Sequence, residues 1–257
     1  MEKYGKKWTH DEAVLALGLY FQIPFGKIHS RSPEIIRLAK LMNRSPASLS
    51  MKMCNFGRLD PTLASRGVGG LANGAKMDQI VWDEFGGHRD ELATRYHELL
   101  LGLTGSDVVE DDVAIKTPPG LDGVRLSRYR INQSFFRRSV LSAYNHRCCI
   151  TGLSEPKLLI ASHVKPWAKC TEGNERTDTS NGLCLNALHD RAFDKGLITL
   201  DEQLKVVLSP ALKNVLPYEV VSDYFLRYEG QVISLPDRGC PSEMFLAYHR
   251  NNVFQGQ

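Results

Sequence analysis

The sequence has no apolar run close to the roughly 20 residues that a membrane-spanning helix needs. Its polar first residues lack the apolar core of a secretory signal, so we expect a cytoplasmic protein with no membrane partner. The 6 cysteines are few and show no framework spacing, which favours reduced thiols over a disulfide scaffold. No internal repeat is visible. What remains is an ordinary globular composition in 257 residues, enough for two compact domains.

The net charge of +3 is small, but the charges are unevenly distributed along the chain. Residues 1–60 carry 10 cationic and 5 anionic side chains, and residues 121–200 carry 12 and 7. Residues 61–120 between them carry 5 and 10. Two basic segments therefore flank an acidic one. This pattern by itself favours a polyanionic partner only weakly, because charged faces are usually just solvated.

Three helices are predicted in the first 60 residues. Thr9 and Glu12 have the spacing of a capping box at the start of the first helix. Ser32 and Ser45, each followed by proline, have the pattern that begins a helix, and the third helix runs to about Phe56. The turn between the second and third helices is short. This arrangement is typical of helix-turn-helix modules.

The same segment resembles Myb/SANT-like and other small helix-turn-helix modules, with W-T-x-D-E followed by L-A-x-x-x-x-R-S-P-x-S-L. The resemblance implies that the segment reads DNA through phosphate and major-groove contacts. A plain three-helix bundle without a partner is the alternative. The DNA-binding candidates here are Arg44 for phosphate and Ser48, Lys52 and Asn55 on the third helix.

The acidic stretch at 104–123 has a Pro-Pro-Gly and no apolar period, so it is the predicted linker. It divides the chain into a helical DNA-reading domain, 1–103, and a second domain, 124–257. The second domain begins with a helix predicted from Asn132 to Tyr144, with Arg137 and Arg138 on its polar side as further DNA-binding candidates. Short strands follow. The expected fold class is α+β.

Three polar residues stand in an apolar frame within the second domain. His163 ends a predicted strand, Asn181 follows a polar loop, and His189 lies in the next predicted helix. Cutting a phosphodiester needs a base that activates water, a cation that neutralises developing charge, and groups held in place beforehand. A histidine on the strand and a histidine on the helix, with an asparagine between them, can meet these needs.

The stretch from Phe135 to Leu200 resembles the HNH (ββα-metal) endonuclease family, in the variant found in restriction enzymes. It contains C-x-x-T-G-L, A-S-H-V-K-P-W and S-N-G-L-C-L-N-A-L-H-D-R-A-F-D-K-G-L-I in the family's order. The resemblance implies a ββα fold with one divalent cation, Mg²⁺ or Mn²⁺, in each active site. It implies that His163 is the general base, that Asn181 braces the loop, and that His189 is a metal ligand. Lys165, within the second motif, is a DNA-binding candidate.

The sequence departs from the family pattern at two positions around the metal. Ser162 stands where many members have an acidic or histidine ligand, and Phe193 stands where many have a second helix histidine. Asn186 or Asp194 is expected to supply the missing oxygen ligand, beside the weak neutral donor Ser162. Structural zinc is not expected, because four-cysteine zinc sites normally show their cysteines in close pairs.

These features together predict a metal-dependent DNA endonuclease, of the restriction type and with modification-dependent enzymes among the options. A homing, phage or toxin-type HNH nuclease is one alternative. A DNA-binding regulator with an inactive HNH domain is another, favoured by Ser162 and Phe193. Because a double-strand break needs two active sites, we expect a homodimer or a transient pair on double-stranded DNA.

Overall fold

A computed structural model of the chain describes residues 6–64, 66–67, 74–106, 123–171, 175–215 and 217–256. It divides into two compact units, one formed by Met1–Ala143 and Thr171–Thr177, the other by Tyr144–Cys170 and Asp178–Gln257. Most of the predicted linker, at 107–122, lies outside the described residues. No described helix is both long and apolar enough to cross a membrane.

The first unit is helical, as expected for the N-terminal part. Its first helix begins with the predicted capping box, in which Thr9 and Glu12 exchange side-chain and backbone hydrogen bonds. Ser45 caps the third helix by accepting from the Ser48 N–H. The helices are α1 (His10–Gln22), α2 (Pro33–Leu41), α3 (Pro46–Leu59), α4 (Pro61–Ala64), α5 (Lys76–Phe85), α6 (Arg89–Thr104) and α7 (Gly123–Ala143).

Helix α1 is the centre of this unit, because nearly every residue on it is buried. Tyr20 packs edge-on against Phe21 and Trp82, and its hydroxyl donates to Asp60 at 2.9 Å. Burying apolar side chains on all sides of one helix is the main stabilising contribution to such a bundle. The surrounding helices α3, α5, α6 and α7 supply the partners.

Helix α7 is longer than the sequence predicted. The expected helix began at Asn132, whereas α7 begins at Gly123. The added residues are exposed or half-buried and show no apolar period, so they gave no amphipathic signal. This helix belongs to the first compact unit, and the domain division predicted at 104–123 stays a prediction.

The second unit is built on the predicted ββα element. Strands β1 (Leu159–His163) and β2 (Gly182–Asn186) pair antiparallel, with His163 opposite Gly182 and Leu159 opposite Asn186. Helix α8 (Ala187–Asp194) follows β2 directly and packs on both strands. The predicted closing hairpin is also present, as β3 (Ile198–Leu200) and β4 (Val206–Leu208). The remaining helices are α9 (Pro210–Lys213), α10 (Tyr218–Tyr224) and α11 (Glu243–Asn252).

Candidate active site

His163 is the last residue of β1, at the edge of the small sheet. Its ring is half-buried and meets Trp167 edge-on, with ring centroids 5.5 Å apart. This contact restricts the rotamers of the imidazole without removing it from solvent. The strand therefore ends with a half-buried imidazole whose ring is in contact with Trp167.

Asn181 is completely buried and holds the chain that follows His163. Its Oδ1 accepts from the Lys165 N–H at 2.7 Å, and its Nδ2 donates to the Lys165 carbonyl at 3.3 Å. The same Nδ2 lies 3.4 Å from the Cys170 sulfur, and the Asn181 carbonyl accepts from the Val164 N–H at 2.9 Å. The Asn181 side chain thus binds both the backbone N–H and the backbone carbonyl of Lys165, two residues after His163.

His189 is placed differently from an open metal ligand, because its side chain is 1% exposed. Its Nε2 lies 2.8 Å from the Tyr224 carbonyl, which can only accept, so Nε2 carries the hydrogen. Its Nδ1 lies 3.0 Å from the Asn186 Oδ1. The ring also contacts Phe225 and Tyr228 at centroid distances of 5.2 and 5.8 Å. Burial lowers the pKa of His189, against the effect of the Tyr224 bond.

The four predicted metal ligands do not form a site for Mg²⁺ or Mn²⁺. Asp194 is exposed and lies five residues after His189, about 140° around the helix. Asn186 caps α8 and already accepts from the His189 N–H at 2.9 Å. Ser162 is buried, and its hydroxyl has no hydrogen-bond partner in the described part of the chain. Mg²⁺ keeps several waters, which the dry surroundings of His189 do not admit. Among the described residues, no three His, Cys, Asp or Glu side chains are grouped around a cation position.

Two of the predicted recognition residues of the first unit, Arg44 and Lys52, are buried. Arg44 is 6% exposed, pairs with Glu12 at 2.7 Å, and lies over the Trp8 ring. Lys52 is 4% exposed and forms an ion pair with Asp78.

Asn55 donates to the same Asp78 carboxylate at 3.1 Å, and Ser48 is half-buried at the start of α3. These bonds hold the unit together, so in this fold Arg44, Lys52 and Asn55 are structural residues. Each of these three side chains bonds to a carboxylate of the same unit.

The other three DNA-binding candidates remain half-buried. Arg137 and Arg138 lie on α7, and Arg138 lines a small cavity beside Tyr96. The Lys165 ammonium lies 5.5 Å from the Tyr248 ring centroid, while its backbone is held by Asn181.

Sequence reasoning did not identify the segment that covers His189. The Tyr224 carbonyl and the rings of Phe225 and Tyr228 come from α10 and the turn after it. A backbone carbonyl has no residue type of its own, so no sequence pattern could have identified it. The aromatic side chains were the only available signal, and they lie 36 and 39 residues after the histidine.

Comparison with known proteins confirms the resemblance for the nuclease segment. The family model described as "HNH endonuclease" matches residues 148–201, which include His163, Asn181 and His189. No curated protein matches the chain. Among solved structures, "Modification dependent TagI restriction endonuclease" is similar, with 20% identity and a TM-score of 0.33. The match covers 46% of this chain and 37% of that one, so the chain spans little more than a third of its length. A likeness at that TM-score carries no argument about activity.

Proposed function

We propose that the chain is a DNA endonuclease that hydrolyses phosphodiester bonds with His163 as the general base. The observation that carries the proposal is the Asn181 side chain, which binds both backbone groups of Lys165 inside a matched HNH segment. Placing a base before the substrate arrives is what a rapid proton transfer from water requires.

In this proposal each residue has a separate task. An imidazole nitrogen of His163 takes the proton from the water that attacks phosphorus. The phosphorus–oxygen bond to one sugar breaks as the new bond forms, and the leaving oxygen takes a proton from solvent. Trp167 limits the orientations of the ring through its edge-on contact. Asn181 does not touch the reacting atoms and acts as a positioning residue for the segment after the base.

A divalent cation, Mg²⁺ or Mn²⁺, belongs to the proposal through the family alone. Such an ion supplies charge neutralisation at the phosphate. Because the residues around His189 do not fit it, we derive no step through a metal and assign it no ligands.

Restriction of DNA is the biological role we favour within this function, and dependence on modified bases is part of the same hypothesis. It rests on the motif variant and on the helical first unit, which gives the nuclease segment a second body for binding DNA. Homing or phage-type cleavage by the same site is the other nuclease role.

A DNA-binding regulator with an inactive HNH segment is the second candidate function. The buried, hydrogen-bonded state of His189 favours it, since a histidine enclosed by Tyr224, Phe225 and Tyr228 is typical of a structural position. The unpartnered hydroxyl of Ser162 offers no strong ligand in its place.

Plasmid nicking separates the two candidates. Supercoiled DNA is incubated with wild type, His163→Ala and His88→Ala, in Mg²⁺, Mn²⁺ or EDTA. His88 is an exposed histidine of the first unit and serves as the control. We expect cleavage by wild type and His88→Ala, and a loss of about 10²-fold or more in His163→Ala. Equal DNA binding by all three proteins without any cutting would favour the regulator. Undiminished cutting in EDTA would remove the metal from the proposal.

A further inference from the structure

Helix α7 carries an unusual concentration of positive charge. Its 21 residues, GVRLSRYRINQSFFRRSVLSA, contain arginines and no acidic side chain. Three of those arginines, Arg125, Arg128 and Arg130, fall within two turns near its start and are exposed. The side chain of Arg128 is 58% exposed and lies 3.7 Å from the Asp90 carboxylate. Because this contact is long and the guanidinium is exposed, although the Asp90 side chain is only 12% exposed, Arg128 is readily able to bind another anion.

The three arginines lie on two flanks of the helix. Arg125 and Arg128 are three residues apart and share one side, while Arg130 lies about 140° around the helix from Arg125. A helix is about 10–12 Å wide with its side chains, and the major groove of DNA is about 12 Å wide. An exposed helix with guanidinium groups on both flanks therefore suits a groove with a phosphate backbone on each side.

A fourth arginine, Arg176, acts electrostatically on the same part of α7. Burial raises the pKa of Tyr129, and the charge of Arg176 opposes that rise. Arg176 precedes Asn181 by five residues in the chain. Arg176 belongs to the first unit and adds to its positive charge.

We propose that Arg125, Arg128 and Arg130 bind the phosphate backbone of double-stranded DNA. This inference rests on the proposed nuclease function. Arg44 and Lys52 were the expected phosphate contacts of the first unit, but their side chains pair with Glu12 and Asp78. The arginines of α7 take over that role in this proposal. Guanidinium groups match phosphate oxygens in charge and in hydrogen-bonding geometry.

Binding is measured by fluorescence anisotropy with a labelled DNA duplex, in EDTA and in a His163→Ala background, over a series of salt concentrations. The test variant is R125Q/R128Q/R130Q. The control, K27Q/R31Q/K76Q, removes the same charge from exposed positions elsewhere in the first unit. A third protein, R125K/R128K/R130K, keeps the charge on α7. Circular dichroism establishes that all four proteins are folded.

We expect the glutamine variant on α7 to bind about tenfold more weakly or worse, with a salt slope smaller by about 2 to 3. The control and the lysine variant should keep a salt slope close to that of the reference, which is the His163→Ala protein without further substitutions. Equal losses in the control and the test variant would overturn the inference, because the effect would then follow net charge alone. Unchanged binding by the test variant would overturn it as well, while leaving the nuclease proposal standing. If the reference protein binds no duplex at any salt concentration, the DNA substrate itself is lost, and both proposals fail.

Discussion

At the scale of single residues, Asn181 shows why one side-chain type suits its position. The Lys165 N–H needs an acceptor, and the Asn181 Oδ1 lies 2.7 Å from it. The Lys165 carbonyl needs a donor, and the Asn181 Nδ2 lies 3.3 Å from it. A carboxylate provides only acceptors, and an aliphatic side chain provides neither. The buried asparagine therefore orders the segment after His163 with one group.

Replacing Asn181 by alanine should lower the cleavage rate about 10- to 100-fold, because the base loses its fixed position. It should also lower the free energy of unfolding by about 1–3 kcal/mol, since a buried backbone N–H loses its acceptor. Single-turnover cleavage and urea unfolding measure the two effects. Asn214→Ala, which removes an exposed asparagine bonded to the Pro210 carbonyl, is the matched control. A cleavage rate equal to wild type would show that the loop positions His163 without this side chain.

Lys52 gives a second prediction at this scale. Lys52→Met leaves the fully buried Asp78 carboxylate without its cation, so the first unit should lose about 3–5 kcal/mol of stability. Lys76→Met, an exposed substitution nearby, should change stability by less than about 0.5 kcal/mol. Chemical unfolding followed by tryptophan fluorescence measures both, because Trp82 lies in this core. A stable Lys52→Met protein with weakened DNA binding would restore Lys52 as a contact residue.

His249 should make the second unit sensitive to acid. Its ring is buried, stacks on Phe193, and bonds to Thr199 and the Phe193 carbonyl. Burial lowers its pKa from 6.5 to about 4, with Arg250 acting in the same direction. The unfolded chain therefore takes up a proton below pH 6.5 that the folded chain refuses until about pH 4.

Stability is thus present above pH 6.5 and is lost as the pH falls through this window, by up to about 3 kcal/mol. Unfolding free energies at several pH values, for wild type and for the non-titrating His249→Gln, isolate the contribution. Parallel pH profiles of stability for the two proteins would show that His249 does not cause the sensitivity to acid.

At the scale of elements, the sequence predicts those whose signals are local. The capping box of Thr9 and Glu12, the strand ending at His163 and the helix containing His189 all lie where the pattern placed them. The start of α7 was missed because its first turns have no apolar face. A helix without an amphipathic period gives no periodic signal, and polar residues at its start resemble a loop.

The end of α8 provides a prediction about an element boundary. Gly196 has a φ of +67°, and a Cβ there would lie 2.0 Å from the Val253 carbonyl oxygen. Gly196→Ala should therefore cost about 3 kcal/mol or more, from backbone strain and steric overlap together. Gly152 has a similar φ of +75° but open space around it, so Gly152→Ala should cost only about 1–2 kcal/mol. Thermal unfolding compares the stabilities of the two variants. An equal loss of stability in both would show that Val253 moves aside.

At the scale of the whole molecule, the nuclease segment depends on the chain that follows it. The family match ends at 201, yet Tyr224 bonds to His189, and His249 bonds to Thr199 and to the Phe193 carbonyl. A stop after Leu208 removes these partners and should leave the second unit unfolded. Removal of Gly256 and Gln257 alone is the control. Limited proteolysis and circular dichroism would reveal the loss, and a protease-resistant shortened protein would contradict the prediction.

Long-range partners also explain which part of the site could not be predicted. Motif spacing predicted where His163 and Asn181 lie, at the end of a strand and after a loop, because these elements are close in sequence. The surroundings of His189 come from residues near 224, and the burial of Arg44 and Lys52 comes from Glu12 and Asp78. Those partners lie 32 and 26 residues away, and no local pattern connects them.

The Asn181–Gly182 step has a chemical consequence of its own. Asparagine before glycine loses ammonia readily, when the following backbone nitrogen attacks the side-chain amide. Here that nitrogen donates to the Thr179 carbonyl, and the amide is occupied by Lys165 and Cys170. The cyclisation must wait for the loop to open. Water then opens the cyclic imide to an ionised aspartate or isoaspartate, which has no hydrogen for the Lys165 carbonyl. Deamidated protein should therefore accumulate irreversibly during storage, and its fraction would measure how often that loop opens.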